Sequence, residues 1–173
     1  MADLLSDPGP PPVSMVDLVI EDERWLDAGL ESLADRAAVA TVRHLGIDGV
    51  EIVVMGCDDA RIAALNEHFR GKGKPTNVLS WPSVEHAPHP PGERPQPPET
   101  PELGDIAISF DTCEREAAAQ GKPLADHVTH LLVHAILHLA GYDHEADADA
   151  ETMEDAERSI LAHLGIPDPY REI

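Results

Sequence analysis

The run His134-Ala135-Ile136-Leu137-His138-Leu139-Ala140-Gly141-Tyr142-Asp143-His144 constrains the chain more than any other segment. Residues four apart lie on one face of a helix, one turn after the other, so His134 and His138 share a face. Gly141 is a residue that ends such a helix and lets the chain turn back, which brings His144 towards the pair. Three protein ligands with an open fourth position are the pattern of a catalytic zinc site. The all-nitrogen set favours zinc, with nickel or copper able to occupy it in vitro. The expectation is one zinc ion held by His134, His138 and His144.

The same helix, predicted over about Leu124 to Ala140, also carries His127 and His130. All four histidines fall within one narrow stripe, but residues eight apart stand ~12 Å apart along the axis and cannot share one ion. The turn at Gly141 selects His134 and His138, leaving His127 and His130 behind the ligands or facing substrate. Asp143 reads in two ways, as a carboxylate orienting a ligand imidazole or as a turn residue capping its own backbone. The spacing also matches the metzincin pattern H-E-x-x-H-x-x-G-x-x-H at every position but one. That position is Ala135, where the proteases carry the glutamate general base. An alanine takes no proton, so a metzincin-like hydrolase stands only as an alternative.

A length of 173 residues fits one domain with a real core. The 12 basic residues face 33 acidic ones, a net charge of −21 that repels polyanions at long range and argues against nonspecific nucleic-acid binding. No DNA partner is expected. Cys57 and Cys113 stand far apart without CxxC spacing, which excludes a cysteine zinc ribbon and fits a reducing cytosol. No signal-like N-terminus and no apolar run of ~18 residues is present, so neither secretion nor membrane insertion is expected and the location reads as cytoplasmic.

Periodicity predicts strands at Val16–Ile20, Val50–Cys57, Asn77–Trp81 and Gly104–Phe110. Helices are predicted at Asp22–Leu45, from an N-cap at Asp58 to Phe69, from a cap at Asp111 or Thr112 to Gly121, at Leu124–Ala140 and at Asp147–Leu164. The fold class is α+β, a small mixed four-stranded sheet packed with five or six helices, with the metal site on helix 124–140 and the turn after it. Residues 1–14 read as a disordered tail and 15–173 as a single domain. A Pro-rich loop insertion is expected at 82–102, since 8 of the 16 prolines lie between Pro82 and Pro101.

The histidine run resembles the signature of the YbeY family of bacterial endoribonucleases, His-Gly-x-Leu-His-Leu-x-Gly-Tyr-Asp-His, with Ala135 in place of the glycine. The resemblance extends to Leu65-Asn66-Glu67-His68-Phe69-Arg70-Gly71-Lys72, to Pro75-Thr76-Asn77-Val78-Leu79-Ser80-Trp81-Pro82 and to Leu103-Gly104-Asp105-Ile106-Ala107-Ile108-Ser109. Asn77 stands where the family usually has aspartate. The resemblance implies a single-strand-specific metallo-endoribonuclease of ribosome biogenesis, maturing the 3′ end of 16S rRNA and degrading defective ribosomes, with rRNA and the ribosome as partners. It carries the family's zinc ligands onto His134, His138 and His144, and its functional arginine onto Arg70.

The residues are compatible with that role. Arg70, Lys72 and Lys74 form the densest basic cluster in an acidic chain. A guanidinium is planar, always charged and able to bind two phosphate oxygens at once, so Arg70 could stabilise charge growing in the transition state. Read without the family, Arg70 equally serves as a cation at a helix C-terminus. A reading from another class is a ribosome-associated assembly factor whose metal is mainly structural.

Overall fold

Short apolar stretches of alternating burial build one four-stranded sheet in the computed structural model, which describes residues 15–84, 89–97 and 100–170. The strands are β1 (Val16–Ile20), β2 (Glu51–Cys57), β3 (Val78–Pro82) and β4 (Glu102–Ser109), in the order β1-β2-β4-β3. β1 pairs parallel with β2, and β2 with β4, whereas β3 runs antiparallel to β4 at the sheet edge. Parallel neighbours need crossovers. The first is made by α1 (Arg24–Asp27) and α2 (Leu30–Leu45); the second contains α3 (Asp59–Arg70) and β3.

Opposite faces of the sheet bury different sets. Ile52, Val54, Ile106 and Ile108 point into the main core with α2, α5 (Leu124–Leu139) and α6 (Asp147–His163). Cys57, Leu79 and Ala107 point the other way and pack on Ile62 of α3. The remaining helix, α4 (Phe110–Gln120), follows β4 directly and contributes Phe110 and Cys113 to the main core. α5 is the hub, packed on α2, α4, α6 and the edge strand β3. Most of its surface is buried, with His134 and His138 only partly so. The fold is the expected α+β arrangement, a mixed four-stranded sheet with six helices among the described residues.

Local boundaries differ from the sequence reading where tertiary contacts decide. The helix expected over Asp22–Leu45 is two helices, because Gly29 takes φ +74° and turns the chain between them. That turn seats Trp25 in the core, edge-on to Phe110 at 5.2 Å, with its indole N–H donating to the Cys57 carbonyl at 3.0 Å. Phe110 therefore opens α4 rather than ending a strand. Neither Asp111 nor Thr112 caps that helix; the N-cap residue is Ser109. Asp111 instead accepts from Arg24 and from the Asp59 backbone N–H, and the Thr112 hydroxyl donates to Asp59. Asp58 does cap α3, accepting from the Arg61 N–H at 2.9 Å. At the ends of the Pro-rich segment, Pro82 and Glu102 belong to strands. Its middle is tied to α6, where the Gly92 N–H donates to Asp149 and its carbonyl accepts from Thr152. The expected tail 1–14 lies outside the described residues, as do residues 85–88 and 98–99 of the Pro-rich segment. Among the described residues, no helix is long and apolar enough to cross a membrane.

Candidate functional site

α5 ends in a way that turns the chain over its own histidines. Gly141 adopts φ +105°, its N–H donates to the His138 carbonyl at 3.0 Å, and the Tyr142 N–H donates to the Leu137 carbonyl at 3.0 Å. These two bonds satisfy helix carbonyls that would otherwise be orphaned, and the burial of Tyr142 beside the helix end secures the turn. The reversal lays the ring of His144 on that of His134, stacked at 5.4 Å with 27° between the planes.

His134, His138, His144 and Arg70 all line one cavity of about 620 Å³, bounded by α3, β3, α5 and the turn after α5. The four residues singled out in the sequence are thus brought together. Their side chains do not close on a single point: among the described residues, no three His, Cys, Asp or Glu side chains converge tightly enough to hold an ion.

The histidines are oriented from behind. His134 Nδ1 lies 3.0 Å from Glu157 Oε2, and His130 Nε2 lies 2.7 Å from Glu157 Oε1. An ionised carboxylate only accepts, so both nitrogens are assigned the proton and donate. The Tyr170 hydroxyl donates to Glu157 Oε1 at 2.6 Å. Glu157 is fully buried. Burial by itself raises its pKa, but the bonds from His130, His134 and the Tyr170 hydroxyl outweigh burial and bring it to about 2. Glu157 is therefore a buried anion at neutral pH, held by three donors. His138 Nδ1 lies 2.6 Å from Ser80 Oγ on the edge strand. Imidazoles that ligate metals are generally anchored through the other ring nitrogen. The donor set therefore fits a zinc ion in kind, with three imidazoles on one cavity and two of them anchored through Nδ1.

The remaining candidates separate cleanly. His130 lines the cavity, whereas His127 does not. His127 is buried, with Nε2 2.8 Å from Glu116 Oε1. The same Glu116 oxygen accepts from Asn77 Nδ2 at 3.0 Å. An aspartate at position 77 would set two carboxylates against each other, so the amide suits this neighbour. Asp143 accepts from the Glu145 N–H at 3.2 Å, as a turn residue does, and lines the cavity with the three histidines. Ala135 is buried and brings no proton acceptor to the cavity.

Arg70 occupies the last turn of α3 and is exposed. Among the described residues no carboxylate forms an ion pair with it. The loop that follows is folded back onto the helix, with the Lys72 N–H donating to the Asn66 carbonyl and Asn66 Nδ2 donating to the Lys74 carbonyl at 3.0 Å. The basic cluster is therefore a helix end followed by a braced loop, and of its three cations Arg70 lines the cavity. Glu157, Ser80 and Tyr170 were not singled out by the sequence reading. Only Glu157 left a readable trace, an acid on the stripe of α6 otherwise occupied by Met153, Ala156, Ile160 and Leu161.

Fold and cavity together define an α+β protein with a cleft at a sheet edge lined by histidines and by Arg70. Residues 19–165 match the family model described as Endoribonuclease YbeY. The chain is 71% identical over 157 residues to the Endoribonuclease YbeY of Paracoccus denitrificans, covering 91% of this chain and 90% of that protein. It is 61% identical over 164 residues to that of Cereibacter sphaeroides, covering 90% and 98%. The chain belongs to the YbeY endoribonuclease family. The solution structure of TM1509 from Thermotoga maritima superposes with a TM-score of 0.55 at 23% identity, covering 91% of this chain and 99% of that one, a likeness of fold.

Proposed function

We propose that this protein is a zinc-dependent endoribonuclease that cleaves single-stranded RNA, matures the 3′ end of 16S rRNA and serves ribosome quality control, working with the ribosome in the cytoplasm. The observation that carries the reading is one cleft lined by three imidazoles and by an arginine that has no ion-pair partner among the described residues. The names of the relatives support the reaction class.

His134, His138 and His144 would hold one zinc ion. When bound, zinc supplies Lewis acidity towards a phosphoryl oxygen and a nucleophile at neutral pH. Arg70 binds the scissile phosphate and stabilises the charge that builds on it, a task suited to a guanidinium whose counterion is the substrate. Glu157 holds His134 with Nδ1 protonated, which commits Nε2 to the ligand role, and Ser80 orients His138 in the same way from β3. Ala135 removes the metzincin general base, which favours phosphodiester over peptide cleavage.

The test is metal analysis with cleavage of single-stranded RNA on wild type, His134→Ala and Arg70→Ala. Wild type is expected to carry one zinc and to cleave, and His134→Ala to lose both. Arg70→Ala is expected to keep zinc and lose about 10²–10³ in kcat. Zinc-loaded wild type that leaves RNA intact overturns the reading. Arg70→Ala cutting at the wild-type rate removes the role given to that residue.

A further inference from the structure

The chain contains two residues each of Trp, Tyr and Phe, and the fold sorts these six aromatic side chains into two groups of three. Trp25, Phe110 and Tyr142 are buried in the core. Phe69, Trp81 and Tyr170 all line the histidine cleft. Tyr170 is accounted for by its bond to Glu157. Phe69 is not, for the residue is 56% exposed. An exposed phenyl forgoes the gain of burial, and this one is nonetheless braced. Trp81 of β3 lies at 5.1 Å and 56° to it, and His68 meets it edge-on at 4.6 Å and 89°. The next residue along α3 is Arg70, followed by Lys72 and Lys74 in the loop stapled by Asn66.

A held, solvent-facing aromatic surface one residue from a phosphate-binding cation has the two halves of a site for single-stranded nucleic acid. Cations take the backbone, and a ring takes a base face, in a way that tolerates any base. We infer that Phe69, backed by Trp81, is a stacking platform for an unpaired nucleobase beside the phosphate that Arg70 binds. This inference rests on the RNA-cleaving reading above and deepens it. In a duplex both faces of each base are covered by neighbours, so only an unstacked base can reach the ring, which gives preference for single strands a physical origin.

The experiment compares a short unstructured oligoribonucleotide with its abasic counterpart, which keeps the phosphates and lacks the bases. Both are titrated against wild type, Phe69→Ala, Phe69→Leu and Phe69→Tyr by anisotropy of a labelled strand and by tryptophan emission. Trp25 is buried, so quenching on binding reports Trp81. Phe69→Ala and Phe69→Leu are expected to weaken binding of the normal strand about 10-fold, which is the scale of one stacked base, and to diminish the quenching. Phe69→Tyr restores both. The abasic strand binds wild type and Phe69→Ala equally and weakly. Equal affinity of wild type and Phe69→Ala for the normal strand, with cleavage intact, overturns the platform and leaves the nuclease reading standing. Wild type that neither binds nor cleaves the strand overturns both.

Discussion

Replacing Glu157 by glutamine changes one atom of the buried carboxylate and removes its charge, so it isolates what that group does for the histidines. Three donors converge on two oxygens, His130 and Tyr170 on Oε1 and His134 on Oε2, at 2.7, 2.6 and 3.0 Å. A glutamine can offer its carbonyl to the first pair only by turning its NH2 towards His134. Two donors then face each other, and His134 must move its proton to Nε2 or lose the bond. Loss of one charge-assisted bond in a dry site costs about 2 kcal/mol. For a chain of this size that lowers Tm by about 4–8 °C, measured on metal-free protein so that zinc does not mask the change. In the zinc site proposed above, the tautomer switch takes the nitrogen that His134 would offer the ion, and a lost partner behind a ligand histidine typically weakens metal affinity 10–100-fold. Competition for zinc with a chromophoric chelator reads that number without reference to catalysis. Glu157→Gln with unaltered Tm and unaltered zinc affinity would refute the reasoning that this carboxylate sets the orientation of His134.

Two further outcomes are expected. A methyl added at Gly56 would lie 2.6 Å from Leu30 Cδ2 and 2.6 Å from Trp25 Cδ1, both in the core, so Gly56→Ala should cost about 1–3 kcal/mol in urea unfolding. The acid limb of stability should depend on Asp59 and Asp111. Burial works against the Asp59 charge, but bonds from Ser109, Thr112 and Arg115 prevail and hold its carboxyl below the usual value. The bond from Arg24 and the Asp59 backbone N–H do the same for Asp111 against a weaker effect of burial. A carboxyl lowered on folding contributes stability that is complete above its unfolded pKa and vanishes as pH falls through its folded one. The urea midpoint should therefore decline as pH drops below about 4, with a flatter decline in Asp59→Asn. Parallel wild-type and variant profiles would show that this cluster does not carry the acid sensitivity.

Much of the fold was legible because it follows from local periodicity. Alternation located all four strands, and the apolar stripes located the long helices. Where the reading missed, a partner distant in sequence had displaced a local preference. Asp111 and Thr112 are good caps by type, yet both are engaged with Asp59, some 50 residues away in the chain. Gly29 breaks a stretch whose apolar pattern is continuous, because Trp25 must reach the Cys57 carbonyl. His127 and His130 share a stripe with His134, and spacing alone does not separate them. Their hydrogen bonds do, since Glu116 and Glu157 engage Nε2 of His127 and of His130, whereas Glu157 engages Nδ1 of His134.

The sequence by itself determined the three imidazoles, their one-turn spacing and the glycine at which the helix reverses, all within eleven consecutive residues. Helix geometry acts over that range, and it needs no other part of the chain. Only the tertiary structure decided what stands around them. Ser80 is 58 residues from His138 and Glu157 is 23 from His134, while Phe69, Trp81 and Arg70 reach the cleft because β3 pairs antiparallel on β4 and α3 ends beside it. Such meetings depend on strand order and helix packing, which no periodicity encodes. The histidine motif therefore names three imidazoles on one chain reversal, and the packing of α3, β3 and α6 around α5 builds the cleft they line.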